Sequence, residues 1–317
     1  MGEPRADLAL AAQLQRIGIT VFERGWLSSN NVLIQGVDSS ALVDSGYSSH
    51  SVQTCALVRD ALQGKSLDML LNTHLHSDHC GGNAALQATF QDMQTWIPPG
   101  QAESVAQWDP VALTYEPTGQ TCPSFSFHGL LTPGTAMRLG DMAWEVHAAK
   151  GHDPHSVVLF EPTTRVLISA DALWESGFGI VFPELDGIDA FDEVAATLDL
   201  IEALDPQTVI PGHGSVFQNV GAALTRARSR LDQFVKSPEL HRRHALKVLI
   251  KFKLLEWQSV SWSDMLAWYV KTPFIRSIEG GLTDPDPDAM RRSLESLIGE
   301  LAARQVLRVL AGQLINI

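Results

Sequence analysis

The sequence predicts an α/β fold followed by a smaller, mainly helical C-terminal unit, and three observations carry that prediction. Short apolar runs of strand length end in loops that bear a histidine or an aspartate: residues 67–72 before His74, Trp144–Ala149 before His152, Val166–Ser169 before Asp171 and Thr208–Ile210 before His213. A chain of 317 residues with 45% hydrophobic content can bury a large core, and it exceeds the ~100 to 200 residues usual for one domain, so one large and one small domain are expected. Charge also divides the chain: residues 236–317 hold 12 Lys and Arg against 9 Asp and Glu, a net of +3, which leaves −16 on the preceding 235 residues. The boundary is therefore expected near Val235, with one domain over 1–235 and a second over 236–317.

In chain order, Met1–Thr20 carries acidic residues early and lacks a long apolar core, so neither a secretory signal nor a membrane span is expected. Residues 67–72, Leu-Asp-Met-Leu-Leu-Asn, have the character of a buried strand, and Gly81-Gly82-Asn83 opens a helix after them. Gln101–Gly134, with several Pro, Gly, Ser and Thr residues, predicts a long loop or insertion between a helix and a strand. Trp174–Pro183, rich in aromatic and glycine residues, suits an apolar cleft wall, and core packing explains it equally simply. Beyond Val235, His241–Trp257 has helical periodicity, with Leu246, Leu249, Ile250 and Leu254 on one face and Arg243, Lys247 and Lys251 elsewhere. Ser263–Val270 and Asp288–Ala302 predict two further helices, and Val306–Ile317 suits a terminal strand pair.

The densest chemistry lies in Thr73-His74-Leu75-His76-Ser77-Asp78-His79, where three imidazoles and one carboxylate fall within six positions. Few folds need such a cluster for packing, and it reads as a metal site. Neutral imidazole and carboxylate suit Zn²⁺, Fe or Mn²⁺, and the lack of cysteine among them argues against a structural Cys-rich zinc site. His74 and His76, two apart, can project to one side of an extended segment, while Asp78 and His79 continue the turn toward a second position. His152, Asp171 and His213 occupy the same kind of place at a strand end, and a rigid sheet whose edge loops each supply a ligand is a common way to build a site.

The ordered elements His-x-His-x-Asp-His (His74, His76, Asp78, His79), Gly-His (Gly151-His152), Ala-Asp (Ala170-Asp171) and Pro-Gly-His (Pro211-Gly212-His213) resemble the metallo-β-lactamase superfamily, in particular its glyoxalase-II-like hydrolytic branch. Leu42-Val43-Asp44-Ser45-Gly46 is similar to that family's strand-end Leu-Ile-Asp-Thr-Gly and makes Asp44 a partner behind the metal loops. The resemblance implies an αββα sandwich. It further implies that His74, His76 and His152 hold one divalent ion and Asp78, His79 and His213 another, with Asp171 bridging them; Zn²⁺ is the first expectation, Fe and Mn the alternatives. Two cations roughly 3.5 to 4 Å apart lower the pKa of a bridging water and polarise a substrate oxygen. Asp78 would orient the hydroxide while ligating.

The chain departs from many relatives at Gly151-His152-Asp153-Pro154-His155, where they read Gly-His-Thr-Pro-Gly. The extra His155 reads either as a proton donor or substrate contact, or as a histidine satisfied by a neighbouring carbonyl; with all seven ligand positions filled, a part in the chemistry rather than in metal retention is expected. B1-type β-lactamases place a cysteine where Asp171 stands, and flavodiiron oxidoreductases a glutamate where His76 stands. Hydrolysis of a thioester, ester or lactone is therefore expected. An iron-dependent oxidoreductase of the persulfide dioxygenase type, a metal-dependent nuclease, or a regulator acting through the C-terminal domain are the alternatives.

The C-terminal segment resembles the winged-helix appendage of some superfamily members. Nucleic-acid binding is discounted, because a net of +3 in an acidic chain is not the clustered basic face that phosphate binding requires. A lid or homodimer element closing one side of the cleft is expected instead, with Arg242, Arg243, Lys247 or Lys251 available to the phosphates of a substrate such as a coenzyme A thioester. The partner expected is a small acyl substrate, with no membrane. Cys55, Cys80 and Cys122 show no paired spacing, which suggests a reducing, cytoplasmic setting.

Overall fold

In the computed structural model of the protein, which describes residues 4–280 and 284–317, two sheets pack face to face and each carries helices on its outer side. The first three residues of the Met1–Thr20 segment lie outside the described residues; helix α1 (Pro4–Arg16) follows them. The first sheet takes β1 (Ile19–Phe22), β2 (Asn31–Gln35), β3 (Ser40–Val43), β4 (Met69–Leu71), β5 (Gln94–Ile97) and β6 (Gly129–Leu130) in that spatial order, antiparallel through β3 and parallel from β3 onward. The second takes β7 (Ala136–Leu139), β8 (Met142–Ala148), β9 (Val157–Glu161), β10 (Val166–Ala170) and β11 (Thr208–Pro211), all antiparallel except the β10–β11 pair.

The period-2 alternation of strand side chains builds the layers. Val32, Ile34, Ala41, Val43 and Leu71 point inward to meet Trp144, Val146, Val157, Leu159, Val166, Ile168 and Ile210 of the opposite sheet. Their neighbours Leu33, Leu42 and Leu70 point outward and are covered by α2 (Ser51–Leu62) and α4 (Asn83–Thr89), which follows the short α3 (Ser77–Cys80). On the other side Val158, Phe160, Leu167 and Val209 meet α8 (Phe191–Leu204) and α9 (Val220–Lys236). This is the αββα sandwich that the resemblance implied. Because strands buried on both faces read as unbroken apolar runs, residues 166–170 and 208–211 were legible as strands.

The Gln101–Gly134 segment is only partly loop: it contains α5 (Ala102–Gln107), α6 (Tyr115–Thr118) and β6. Its Pro, Gly and Ser content masked these short elements, whose apolar residues Val105, Leu113, Tyr115 and Phe125 form a small core with Leu75, Cys80 and Ile97. Two cysteines without paired spacing meet there, Cys80 Sγ lying 3.8 Å from Cys122 Sγ; both are free.

A short helix α7 (Phe182–Leu185) precedes α8, and beyond α9 come α10 (Pro238–Trp257), β12 (Ser259–Ser261), α11 (Trp262–Lys271), α12 (Pro273–Gly280), α13 (Pro287–Ala303), β13 (Leu307–Leu310) and β14 (Gln313–Asn316). Strands β12, β14 and β13 form a small antiparallel sheet, so the expected terminal pair gains a third strand. Asp286 caps α13 and Pro287 begins it, which fixes that helix start. The apolar face predicted for α10 (Leu246, Leu249, Ile250, Leu254) is buried, in one cluster with α11, α12 and α13 and with Ile180 and Leu185. No helix among the described residues is long and apolar enough to cross a membrane.

One polar contact ties α10 to the loop after β10: the backbone N–H of Val181 donates to His241 Nε2 at 3.1 Å. An acceptor nitrogen must be unprotonated, and burial, then the neighbouring His244 and Arg242, pushes His241 down to about 4; Phe191 and Phe234 cover the ring. Because the folded pKa lies below the unfolded value, the unfolded chain takes up the proton first. This contribution is therefore intact above pH ~6.5 and lost as pH falls toward about 4, on the order of 3 kcal/mol at most. Chemical denaturation of the metal-loaded protein at pH 7.5 and pH 4.5 should show a smaller acid-induced loss for His241→Gln than for the parent; equal losses would exclude His241 as a source of acid sensitivity.

Candidate metal centre

Parallel pairing puts the ends of β3 and β4 at one edge of the first sheet, and the ends of β10 and β11 at the facing edge of the second. Backbone bonds lock the edges together: Asn30 N donates to Gly212 O at 2.7 Å, Ser29 N to Asp78 O at 2.9 Å, and Val157 N to Thr73 O at 2.9 Å. All seven donors expected from the sequence meet at this seam, in two groups whose ligand atoms lie within 4.8 Å of one another: His74, His76 and His152 in one, Asp78, His79, Asp171 and His213 in the other.

In the first group His74 Nε2, His76 Nδ1 and His152 Nε2 form a triangle with sides of 3.1, 3.3 and 2.9 Å. The far nitrogen of each ring faces an acceptor: His74 Nδ1 lies 3.1 Å from Thr73 Oγ1, His152 Nδ1 lies 2.5 Å from the Ile180 carbonyl, and His76 Nε2 lies 3.6 Å from an Asp153 oxygen. Thr73 Oγ1 gives its own proton to Asp44, leaving its lone pairs for His74. A proton held at each far nitrogen turns three lone pairs toward one point, the donor arrangement of a cation site.

In the second group His79 Nδ1 bonds Asp44 Oδ2 at 2.7 Å, and its buried Nε2 finds no protein hydrogen-bond partner among the described residues. That orphaned nitrogen lies 3.4 Å from Asp171 Oδ1 and 3.8 Å from Asp78 Oδ2, while His213 Nε2 lies 3.1 Å from Asp78 Oδ2. Asp171 spans the groups, Oδ1 toward His79 and Oδ2 at 3.4 Å from His152 Nε2. A register shift between Ile168 and Ala170, with Ala170 at φ +47°, releases Asp171 from the strand. Gly212 is required opposite it, because a Cβ there would lie 2.2 Å from Asp171 Oδ1.

The charge states follow from the surroundings. Burial, and behind it the imidazoles of His79, His76 and His152, holds His74 well below the ordinary histidine range, and burial takes His152 to about 4, so these rings keep their lone pairs. Burial opposes charge on His79 too, but the carboxylates of Asp171, Asp44 and Asp78 outweigh it and raise that ring. Asp171 and Asp78 are held below the usual carboxylate range despite burial, chiefly by His79 and His213. The donor set therefore fits two divalent ions, with neutral imidazoles at one position and a carboxylate-rich set at the other.

Both groups open into a cavity of about 400 Å³. Both readings of Trp174–Pro183 hold in part: Trp174, Ile180 and Phe182 line the cavity, while Phe178 and Val181 pack in the core, and Phe182 packs on His76 with ring centres 4.7 Å apart. Trp26 stacks on His213 at 5.3 Å and 8°, and Trp174 donates its indole N–H to Asp171 Oδ1 at 3.2 Å. His155 is not brought to the ligands. Its backbone N–H donates to Asp153 at 2.7 Å, its half-buried ring lies against Gly100, and it does not line the cavity. Sequence reasoning missed Thr73, Asp153 and the Ile180 carbonyl; adjacency to the ligands in Thr73-His74 and His152-Asp153 was the one available signal for the side chains.

The sequence model of the Metallo-beta-lactamase superfamily matches residues 24–213. The chain is similar to a hydroxyacylglutathione hydrolase of Thermosynechococcus vestitus, 27% identical over 170 residues that make up 53% of this chain and 58% of the relative, so less than two thirds of that protein is spanned. It is also similar to acyl-coenzyme A thioesterase MBLAC2 of Homo sapiens, 26% identical over 227 residues, 62% of this chain and 77% of the relative. Among solved structures, a metallo-beta-lactamase family protein from Thermus thermophilus is similar with a TM-score of 0.53 and 16% identity, covering 95% of this chain and 99% of that one. TTHA1623 in a di-iron-bound form is similar with a TM-score of 0.51 and 24% identity, covering 65% and 98%. These two likenesses establish the fold.

Elemental analysis after loading with Zn²⁺, Fe²⁺ or Mn²⁺ should find two ions per chain, falling toward one in His152→Ala. Asp44→Asn should weaken the second position roughly 10 to 100-fold, the usual effect of losing the group behind a metal-bound histidine, in a competition titration with a chromophoric chelator. Unchanged affinity in Asp44→Asn would show that the Asp44–His79 bond does not prepare the site.

Proposed function

Because the chain belongs to the metallo-beta-lactamase superfamily, we propose that it is a dinuclear-metal hydrolase of acyl compounds, acting on a thioester, ester or lactone carbonyl, with thioesters first. The observation that carries this reading is the pair of donor groups joined through Asp171 at the floor of a largely apolar cavity. The similarity to a hydroxyacylglutathione hydrolase and an acyl-coenzyme A thioesterase favours thioesters. Zn²⁺ is the proposed occupant, Fe and Mn the alternatives.

Bound ions at these positions would supply Lewis acidity toward the carbonyl oxygen and acidify water in the site. The chain's own groups do the rest. Asp171, reaching both donor groups, fixes their spacing. Asp78, bonded to His213 and facing the cavity, accepts a hydrogen bond from the attacking water and so aims it. Trp26, Trp174, Ile180 and Phe182 hold the apolar part of the substrate and exclude bulk water.

The C-terminal region is read as a winged-helix-like lid over residues 236–317, supported by the contribution of α10 and α13 to the cavity wall. The same helix argues against a nucleic-acid surface, since Arg242 pairs with Glu239, and Arg243 and Lys247 with Glu300. A homodimer contact through this region and a cytoplasmic setting, consistent with three free cysteines, complete the proposal.

Given thioesters, esters, lactones, β-lactams and phosphodiesters, the metal-loaded protein should turn over the carbonyl compounds, and Asp171→Ala should abolish most of that turnover. Activity confined to phosphodiesters, or oxygen consumption with an iron-loaded protein and a thiol-derived substrate, would replace the hydrolase reading. His155→Ala should keep both ions and lose less than about tenfold in rate, since its ring lies outside the cavity; loss of a general acid would cost roughly 10² to 10⁴-fold.

A further inference from the structure

Away from the metal donors, every charged side chain lining the cavity is basic: Arg230, Lys247, Lys251 and Arg304, with the imidazole of His244 among them. That is against the trend of a chain with a net charge of −13. Two of these cations are already engaged. Lys251 Nζ is held by Val306 O at 2.8 Å, Asn316 Oδ1 at 2.5 Å and Ile317 O at 3.2 Å, and Lys247 shares Glu300 with Arg243.

Arg230 and Arg304 have no carboxylate within ion-pair distance among the described residues. Arg304 is exposed, whereas Arg230 is half-buried, its one side-chain hydrogen bond among the described residues going to the Phe178 carbonyl at 3.5 Å, and its guanidinium occupies the space above Gly177, where a Cβ would come within 2.6 Å of it. A half-buried arginine with no counter-ion, seated in a gap that only glycine leaves open, is costly unless an anion completes it. His244, one turn before Lys247 on α10, is pushed down to about 4 by burial and then by Arg230, Lys247 and Arg304, so the four basic groups crowd one region.

We propose that Arg230 and Arg304, with the His244 imidazole beside them, bind an anionic group of the substrate, a phosphate or a carboxylate carried on the part remote from the bond that is cleaved. This rests on the acyl-hydrolase reading for the identity of the reacting end. It also moves the anion contact away from Arg242 and Arg243, whose guanidinium groups pair with Glu239 and Glu300 outside the cavity.

The test compares one acyl group on three thiols: N-acetylcysteamine, which is neutral, 4′-phosphopantetheine, which carries a phosphate, and glutathione, which carries carboxylates. With the full-length metal-loaded protein, Arg230→Gln and Arg304→Gln should each raise KM for the anionic substrate roughly 10 to 100-fold, the worth of a charge-assisted hydrogen bond, while kcat and the neutral substrate change by less than about threefold. Arg230→Lys should recover part of the loss. Whether the phosphate or the carboxylate thioester suffers identifies the anion. Calorimetry with 4′-phosphopantetheine, glutathione and neutral pantetheine reads the same site without turnover: an anion preference of at least about tenfold in the parent, weakened by salt and lost in Arg230→Gln, is expected. If no thioester turns over, the acyl reading fails, yet the binding preference still decides this inference. Equal effects on neutral and anionic ligands, or no preference in the parent protein, would overturn it.

Discussion

The constraint on which the rest depends is the convergence of seven donor side chains whose lone pairs face one another in a buried seam. Three imidazole nitrogens within 2.9 to 3.3 Å cannot all keep their lone pairs turned inward without a positive charge between them, and burial opposes supplying it by protonating His74 and His152. A divalent cation is the species that resolves the conflict. The hydrogen bonds behind the ligands make sense in these terms. Asp44, itself at φ +59°, bonds the backbone N–H of Thr73, the hydroxyl of Thr73 and the ring of His79, and so orients ligands of both groups from one carboxylate.

That carboxylate works only if two sheet edges hold still. A set of buried amides does the holding: Asn30 donates to the carbonyls of Pro211 and Gly214 across the seam, Asn31 to the carbonyl of Asp44, and Asn72 to the carbonyl of His79 while bonding Asn83. Asn30 and Asn31 supply donors to loop carbonyls, and Asn72 adds one to the His79 carbonyl that Ser45 N–H already reaches, which is why buried polar residues collect on this edge of an otherwise apolar sandwich. Rigidity of the sheets and precision at the ligands are thus one property, since a donor displaced by an ångström no longer shares the common point.

The sequence made the ligands and layers legible because both are written locally. Donors cluster within 74–79 or stand just past an apolar run, as at His152, Asp171 and His213, and the αββα layering follows from motifs whose order resembles a known family. What stayed hidden depends on tertiary meetings. The small helices of Gln101–Gly134 exist because Tyr115 and Phe125 find Leu75 and Ile97, contacts without local periodicity. His155 looked functional because it lies three residues from a ligand, but the turn directs its ring to Gly100. Arg230 gave no signal at all. It sits amid other charges on an amphipathic helix, and its isolation from carboxylates appears only when α9, α10 and α13 are placed around the cavity.

The cavity thereby divides its tasks between the two parts of the chain. Under the proposed function, bond cleavage would draw on the sheet edges, whose donors are fixed by short loops. Selection of the substrate would draw on α9, α10 and the end of α13, which contribute side chains to the cavity wall and none to the two donor groups. Packing of α10 and α13 in one cluster with Ile180 and Leu185 bears on the metal site as well, because the Ile180 carbonyl accepts from His152 Nδ1 and the next residue, Val181, donates to His241 of α10. A shift of α10 that loosened Val181 would disturb the hydrogen bond that sets the orientation of His152. Under the proposed function, substrate contacts on the helical side would reach the first ligand group through residues 180–182, by the Ile180 carbonyl and by the Phe182 ring, which lies against His76, His152 and Phe274; ordering of that loop is the physical route by which an occupied cleft would tighten the ligand geometry.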